Sequence, residues 1–275
     1  MDSQKQILLT NDDGIDSPGL WAAAEALRSL GVVHIIAPRQ QHSGAGRSMP
    51  NTSDGIIQEK IFQNNGHFWK GYAVGGSPAQ TVEHAILEIL PCKPDVIISG
   101  INFGENLGVG ITASGTIGAA MEGALFGIPA LAVSLETPPE YYFSHNTDID
   151  FQTAAYFTHL FTKIILEKVL PRDVDLLKVD VPTNATPYTA WKVTHLLRIP
   201  YYELTPPSRK DWGEPGKIGF RPFEEPRFPE GSDAFVMCQE KLVSVTPLSL
   251  DLTSRINLSE MDSWLNEKHS GVEKS

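Results

Sequence analysis

Two adjacent carboxylates, Asp12 and Asp13, have types and spacing that suit metal or acid–base chemistry. They follow the short apolar run 6–10 in an Asn-Asp-Asp-Gly turn, a pattern typical of a buried strand that ends in a polar turn. Ligands of open parallel sheets bind outside the carboxyl ends of the strands, so we expect this pair to face a crevice. An ordinary turn, closed by local Asn and Asp hydrogen bonds, is the alternative interpretation.

Two further polar turns follow predicted strands. His42 and Ser43 come after the apolar run 32–37, and Asn102 ends the run 94–102. We expect the three turns to converge on one edge of a parallel sheet. Carboxylate, hydroxyl and amide oxygens form a donor set that suits a hard cation such as Mg²⁺ or Mn²⁺ and does not suit zinc.

The longest glycine-rich connection, residues 103–116, leads into a segment of small residues that is predicted to be a helix. Unpaired backbone N–H groups and the helix dipole make such a helix start a ready anion site. A flexible loop before a closely packed helix explains the same glycines. The loop lacks Gly-Lys-Ser/Thr and the dinucleotide-binding spacing, which disfavours a nucleoside triphosphatase or a nicotinamide dehydrogenase.

The composition is that of an ordinary globular protein: 275 residues, 41% hydrophobic and 20% charged. The net charge of −11 and the absence of a basic run disfavour a nucleic acid polymer as partner. A small phosphorylated ligand is still compatible, because a metal ion and backbone N–H groups can outweigh the overall charge locally.

The two cysteines, Cys92 and Cys238, lie far apart and in no metal-binding spacing, which fits a reducing compartment. No stretch has the length and apolarity of a signal-peptide core or a membrane span. The sequence therefore predicts a cytoplasmic protein that does not interact with membranes.

The order of the predicted elements favours an α/β fold with a mostly parallel sheet, because strands alternate with helices up to about residue 182. Beyond Pro182 the chain becomes rich in proline, aromatic and charged residues, and runs 234–237 and 242–246 are predicted to be strands of a β-rich extension. We expect a core over residues 1–182 and a C-terminal extension over 183–275 that folds over the crevice or reaches a neighbouring subunit. A short helix is predicted at 259–267.

Six ordered motifs resemble those of the SurE (stationary-phase survival protein) family of nucleotidases. They are residues 10–14 (TNDDG), 37–44 (APRQQHSG), 76–79 (GSPA), 99–108 (SGINFGENLG), 114–123 (SGTIGAAMEG) and 243–248 (VSVTPL). The resemblance is dense from about residue 6 to 135 and weak from 187 to 231. The family pattern is altered at Ser77, where threonine is usual, and at Asp180, where asparagine is usual.

The resemblance implies a Rossmann-like three-layer sandwich whose C-terminal extension is swapped between the subunits of a homodimer or homotetramer. It implies a phosphatase with one divalent metal ion per subunit, Mg²⁺ or Mn²⁺, that hydrolyses nucleoside 5′- or 3′-monophosphates and sometimes short polyphosphate. The site residues that it implies are metal ligands at Asp12, Asp13, Ser43 and Asn102, and phosphate contacts at Asn11, Asn106, Ser114, Gly115 and Thr116.

We hypothesise that Asp12 and Asp13 carry the catalysis by holding the metal, while a water attacks phosphorus in line without a covalent phospho-enzyme. Asp12 as nucleophile is the disfavoured alternative, because the Asp-x-Asp spacing of aspartyl phosphatases is absent. His42 is either a general acid for the leaving alcohol or a loop residue bonded to backbone. The aromatic residues of the extension either stack on a base or pack within the protein.

Two rival hypotheses use the same residues differently. A non-catalytic sensor would use the metal only to bind a nucleotide or phosphate. A structural assembly protein would be held together by its extension and would need no metal at all. Turnover of a phosphate ester discriminates the enzyme from the first, and metal affinity that is lost in Asp12→Asn discriminates it from the second.

Overall fold

The computed structural model describes residues 4–64, 66–142, 148–222 and 228–267 of the chain. The strands of these ranges are β1 (Gln6–Thr10), β2 (Val32–Pro38), β3 (Ile57–Asn64), β4 (His67–Val74), β5 (Val96–Phe103), β6 (Ala130–Leu135), β7 (Leu176–Val181), β8 (Trp191–Val193), β9 (Tyr202–Thr205), β10 (Gly219–Pro222) and β11 (Val243–Leu248). The α-helices are α1 (Pro18–Leu27), α2 (Pro78–His84), α3 (Gly115–Leu125), α4 (Gln152–Glu167), α5 (Asp233–Cys238) and α6 (Leu258–Asn266).

Nine strands form one sheet in the order β3-β4-β2-β1-β5-β6-β7-β11-β8. All neighbouring pairs are parallel except β3 with β4 and β7 with β11. β1 lies next to the central strand β5, with Leu9 beside Ile35 of β2 and Ile98 of β5. From Ile7 to Thr10 the strand is fully buried on both faces, as the apolar run 7–9 predicts.

Two helical layers cover the sheet, which confirms the predicted α/β three-layer fold with a mostly parallel sheet. One face carries α1 and α4, which pack on apolar side chains such as Leu9 and Ile98. The other carries α2 and α3, which pack on Leu8 and Ile97. Adjacent residues of β1 and β5 thus supply opposite faces, as strand geometry requires.

Local signals explain where several elements begin. Ser77 followed by Pro78 is a pattern that predicts a helix start, and Ser77 caps α2. Its hydroxyl accepts from the backbone N–H of Gln80 at 3.2 Å, and the Gln80 side chain accepts from the N–H of Ser77 at 3.1 Å. This reciprocal capping box, with Pro78 in the first turn, fixes the start of the helix.

The segment 234–237 is helical, so the strand prediction for it was wrong. It belongs to α5, whose start is capped by Ser232, the hydroxyl of which accepts from the N–H of Phe235 at 3.2 Å. A four-residue apolar run does not distinguish a strand from a buried helix, and here the capping serine decides for the helix.

The C-terminal part of the chain is divided between the main sheet and separate elements. β8 and β11 extend the nine-stranded sheet, whereas β9 and β10 form a two-stranded sheet of their own. Helix α6 buries none of its residues. The division of the chain at residues 182 and 183 stays a prediction. Among the described residues, no helix has the length and apolarity needed to span a membrane.

Candidate active site at the carboxyl end of β1

The turn after β1 is rigid and places two acids side by side. Asn11 closes this turn with both ends of its side-chain amide: Oδ1 accepts from the N–H of Gly14 at 3.1 Å, and Nδ2 donates to the Gly14 carbonyl at 3.0 Å. The Asn11 side chain therefore shapes the turn, and its phosphate-binding role stays a prediction. Asp12 and Asp13 are only 5% and 2% exposed.

Asp12 faces the start of α3. The hydroxyl of Thr116 donates to its Oδ1 at 2.5 Å, and a Cβ added at Gly115 would lie 2.7 Å from the Asp12 Cβ. Burial raises the pKa of Asp12 to about 6, against the hydrogen bonds from Thr116 that lower it. Among the described residues, no lysine or arginine forms an ion pair with Asp12.

Asp13 faces β5 and the loop after β2. The N–H of Phe103 donates to its Oδ2 at 3.2 Å, and Gln41 Nε2 donates to its Oδ1 at 2.9 Å. Burial raises the pKa of Asp13 well above its usual range, and the neighbouring charge of Asp12 raises it further. The two carboxylates are thus held by different elements. When both are deprotonated, they place two negative charges side by side in the protein interior.

The other two predicted metal ligands lie on neighbouring segments. Asn102 is near the end of β5, and its Nδ2 donates to the carbonyls of Phe103 at 3.1 Å and Gly104 at 2.8 Å. This anchoring fixes the amide, and no hydrogen bond among the described residues uses its Oδ1. Ser43 is exposed in the loop after β2, which is joined to the acidic turn by a 2.7 Å bond from the N–H of His42 to the Asp12 carbonyl.

The bend that carries Asn102 depends on glycine. The β5–β6 register shifts between Ser99 and Asn102, and Gly100 adopts a φ of +137° in this irregular stretch. A Cβ there would lie 2.4 Å from the Val133 carbonyl oxygen. The close approach of β5 to β6 therefore requires glycine at this position.

The predicted phosphate contacts surround the start of α3. Ser114 caps this helix through a 3.3 Å bond from the N–H of Ile117 to its Oγ, and Gly115 and Thr116 form the first turn. The Thr116 hydroxyl donates to Asp12 and so holds this carboxylate in place. The positive end of the α3 dipole lies beside Asp12. Asn106 Nδ2 donates to Ser134 Oγ at 2.8 Å.

A buried lysine, Lys178, holds the backbone of Asn106 and two buried acids in place, a role that the sequence did not reveal. Lys178 and its partners Asp180 and Asp233 are all fully buried, and its ammonium forms ion pairs with both acids. Lys178 Nζ donates to the Asn106 carbonyl at 2.8 Å, and the Asn106 N–H donates to Asp180 Oδ1 at 2.8 Å. Burial raises the pKa of Asp180 to about 6, while the charge of Lys178 opposes that shift.

A second group that the sequence did not reveal adjoins Asp13. Gln41 Nε2, besides donating to Asp13, donates to the Tyr142 carbonyl at 2.8 Å. The Tyr142 hydroxyl in turn lies 3.2 Å from Glu105 Oε2. These residues are distant in sequence, so only the fold brings them together.

The donor set of this site fits a hard divalent cation. No cluster of three or more His, Cys, Asp or Glu that could hold a metal occurs among the described residues, so any ion here depends on the acidic pair and neutral oxygens. Burial makes ionisation of these two acids unfavourable, which raises their pKa values. A bound cation offsets that cost by stabilising the ionised carboxylates. Oxygen donors of this kind favour Mg²⁺ or Mn²⁺.

Comparison with known proteins identifies relatives over nearly the whole chain. The model of the family described as survival protein SurE matches residues 7–203. The chain is similar to the 5′-nucleotidase SurE of Thermococcus kodakarensis, with 39% identity over 93% of this chain and 96% of that protein. It is also 40% identical to the 5′-nucleotidase SurE of Methanocella arvoryzae, over 90% of this chain and 93% of that protein.

A solved structure gives the same result. The crystal structure of the SurE protein from Aquifex aeolicus is similar to this fold, with a TM-score of 0.72 and 34% sequence identity. The similarity covers 95% of this chain and 99% of the Aquifex chain.

Proposed function

Because the chain belongs to the SurE family, we propose that it is a metal-dependent phosphatase that hydrolyses nucleoside 5′- and 3′-monophosphates to nucleoside and phosphate. The observation that carries this proposal is the buried acidic pair, Asp12 and Asp13, of which Asp12 faces the start of α3. Cation and anion sites then lie side by side, which is the arrangement that hydrolysis of a phosphate ester requires. The similar proteins named 5′-nucleotidase support the substrate class. Short polyphosphate is a further proposed substrate.

We assign one divalent ion per subunit, Mg²⁺ or Mn²⁺, to Asp12, Asp13, Ser43 and Asn102. When bound, such an ion screens the phosphoryl charge and lowers the pKa of water. The support from this chain is the anchored amide of Asn102 and the separate anchoring of the two carboxylates. Asp12, Asp13 and Asn102 are each held by a neighbour, which limits the reorganisation that binding requires.

The chain's own residues position the phosphate. The start of α3 supplies N–H groups at Gly115 and Thr116 and the hydroxyl of Ser114, whose own N–H donates to the Ile111 carbonyl. Asn106 lies on the loop next to Glu105. Asp12 is proposed to bind and orient the metal ion and not to attack phosphorus, because its Oδ1 already accepts a hydrogen bond from the Thr116 hydroxyl. Burial lowers the pKa of His42, which favours its neutral form at pH 7 and disfavours it as a general acid.

A swapped homodimer or homotetramer is proposed for the assembly. The support is apolar surface on the C-terminal part: Trp264 and Leu265 of α6 are 62% and 55% exposed, and Leu204 of β9 is 71% exposed. A helix that buries none of its residues gains stability only by packing on another surface. A second copy of the chain is the proposed surface.

The cytoplasm is the proposed location, supported by two free cysteines that are far apart in sequence.

The experiment that tests the function is phosphate release from a panel of 5′- and 3′-nucleoside monophosphates and tripolyphosphate. Each substrate is assayed with Mg²⁺, with Mn²⁺ and after EDTA. Phosphate release that requires the metal and differs in rate between nucleotides supports the proposal. Absence of release in a folded protein that still binds Mg²⁺ would contradict it and favour a sensor.

A further inference from the structure

A cavity of about 300 Å³ lies beyond the carboxyl ends of β5, β6 and β7. Its lining includes Glu105, Glu136 and three partly buried tyrosines, Tyr142, Tyr201 and Tyr202. Neither the metal ligands nor the phosphate contacts assigned above line it. The volume is at the lower end of the range for small-molecule sites, which is enough for a nucleoside.

The cavity is joined to the acidic pair through one side chain. Gln41 Nε2 donates both to Asp13 Oδ1 at 2.9 Å and to the Tyr142 carbonyl at 2.8 Å. Glu105 is also the residue directly before Asn106, the proposed phosphate contact. A ligand whose phosphate contacts Asn106 therefore lies next to the segment that carries Glu105.

Glu105 keeps acceptor capacity that points to a hydroxyl-bearing ligand. Its Oε1 accepts from the Tyr202 hydroxyl at 2.7 Å, and the Tyr142 hydroxyl lies 3.2 Å from Oε2 and 2.9 Å from the Tyr202 hydroxyl. Tyr201 is also hydrogen-bonded to Glu105, so the three tyrosines supply at most three hydroxyl protons, whereas a carboxylate offers about four acceptor positions. Burial and the charge of Glu105 raise the pKa values of Tyr142 and Tyr202, so both stay protonated and hold the carboxylate in place.

The charge of the cavity selects the neutral part of a nucleotide. Two carboxylates line it, and none of its described lining residues is lysine or arginine. Glu136 is itself fixed, since its Oε2 accepts from the N–H of Thr183 at 2.9 Å. Like charges repel a phosphate from this cavity, whereas sugar hydroxyls donate to carboxylates and tyrosine rings pack on a base.

We infer that this cavity binds the nucleoside half of the substrate and that Glu105 accepts a hydrogen bond from the ribose 2′-hydroxyl. The inference rests on the proposed function and adds to it a specificity-determining residue. Glu105 then makes the enzyme prefer ribonucleotides to 2′-deoxyribonucleotides.

Binding of nucleosides that lack phosphate tests the inference without turnover. Titration calorimetry with adenosine and 2′-deoxyadenosine is expected to give the wild-type protein about tenfold tighter binding of adenosine, as for one hydrogen bond to a charged group. Glu105→Gln should reduce that ratio to about one. The matched control Glu260→Gln, an exposed residue of α6, should keep it.

Equal wild-type affinity for the two nucleosides would overturn the inference, and so would an unchanged ratio in Glu105→Gln. Because a misfolded Glu105→Gln is uninformative, Tyr202→Phe provides a second variant, which keeps the ring but loses the donor at 2.7 Å. It should lower the ratio at least twofold, and an unchanged ratio would count against the inference.

A kinetic assay separates failure of the inference from failure of the proposed function. Wild-type protein that releases phosphate from neither adenosine 5′-monophosphate nor p-nitrophenyl phosphate contradicts the function. Protein that hydrolyses adenosine 5′-monophosphate and its 2′-deoxy analogue with equal kcat/KM contradicts only the inference.

Discussion

The hydroxyl of Thr116 donates a 2.5 Å hydrogen bond to Oδ1 of Asp12, joining the first turn of α3 to the end of β1. The same helix start that is proposed to bind phosphate therefore also holds a proposed metal ligand. A small displacement of α3 alters both halves of the site together. This coupling explains why a glycine precedes Thr116, since a Cβ at Gly115 would lie 2.9 Å from Asp12 Oδ2.

Thr116→Val removes this hydrogen bond while conserving shape. Loss of a hydrogen bond to a carboxylate costs about 1.5–3 kcal/mol, so we expect kcat/KM for a nucleotide to fall about ten- to hundredfold. Steady-state phosphate release measures this. The control is Thr112→Val, an exposed threonine just before α3, which should be unaffected. Wild-type activity in Thr116→Val would show that Asp12 does not need the bond.

Removal of the metal should destabilise the protein in a pH-dependent way. The pKa of Asp12 is raised to about 6 in the fold, so its contribution to stability is present below the unfolded pKa and is lost as pH rises through 6. In EDTA, we therefore expect the protein to have a lower Tm at pH 7.5 than at pH 5. Mg²⁺ binds the deprotonated pair and should restore stability mainly at pH 7.5.

The measurement is Tm by calorimetry at both pH values, with EDTA or with Mg²⁺. At 100 times its Kd the ion adds about 2.7 kcal/mol, which corresponds to a rise of several degrees. Asp12→Asn is the control and should lose the rise. An equal rise from Mg²⁺ at pH 5 and pH 7.5 would contradict the assignment of the ion to these acids.

Lys178→Met should strongly destabilise the fold. It leaves Asp180 and Asp233 fully buried without their cation, and breaking a buried ion pair in this way costs about 3–5 kcal/mol. Urea unfolding measures the loss. Lys163→Met, at an exposed position of α4, should stay within about 0.5 kcal/mol of wild type. A loss below about 1 kcal/mol in Lys178→Met would contradict the structural role of this lysine.

The exposed face of α6 should be needed for assembly. Trp264→Ser combined with Leu265→Ser removes two exposed apolar side chains from α6 and should convert the assembly to monomers. Light scattering after size exclusion gives the mass directly. Val169→Ser, at a 97% exposed position after α4, is the control. A wild-type monomer, or an unchanged mass in the double variant, would rule out this interface.

Local signals predicted most of the core. The run 6–10 followed by two acids gave both strand β1 and the turn, because a buried strand and its polar end are encoded within nine residues. Ser77 and Pro78 likewise predicted the start of α2. The run 234–237 failed because its pattern is too short to distinguish a helix from a strand.

Contacts between distant residues were not predictable in the same way. Asp180 was noticed only as a departure from the family pattern, and its partner Lys178 has an ordinary position in a strand. Glu105 lies between two predicted site residues, yet its tyrosine partners are 37 and 97 positions away. Only the folded chain shows that these groups meet.

Phosphate release by two asparagine variants four residues apart tests the role of the acidic pair. Asp12→Asn removes a proposed metal ligand, whereas Asp16→Asn changes an exposed acid of the same segment that pairs with Lys60 on the surface. With Mg²⁺ and adenosine 5′-monophosphate, we expect release to fall at least about a hundredfold in Asp12→Asn and to be unchanged in Asp16→Asn. Release that survives in Asp12→Asn at more than a tenth of the wild-type rate would contradict the account.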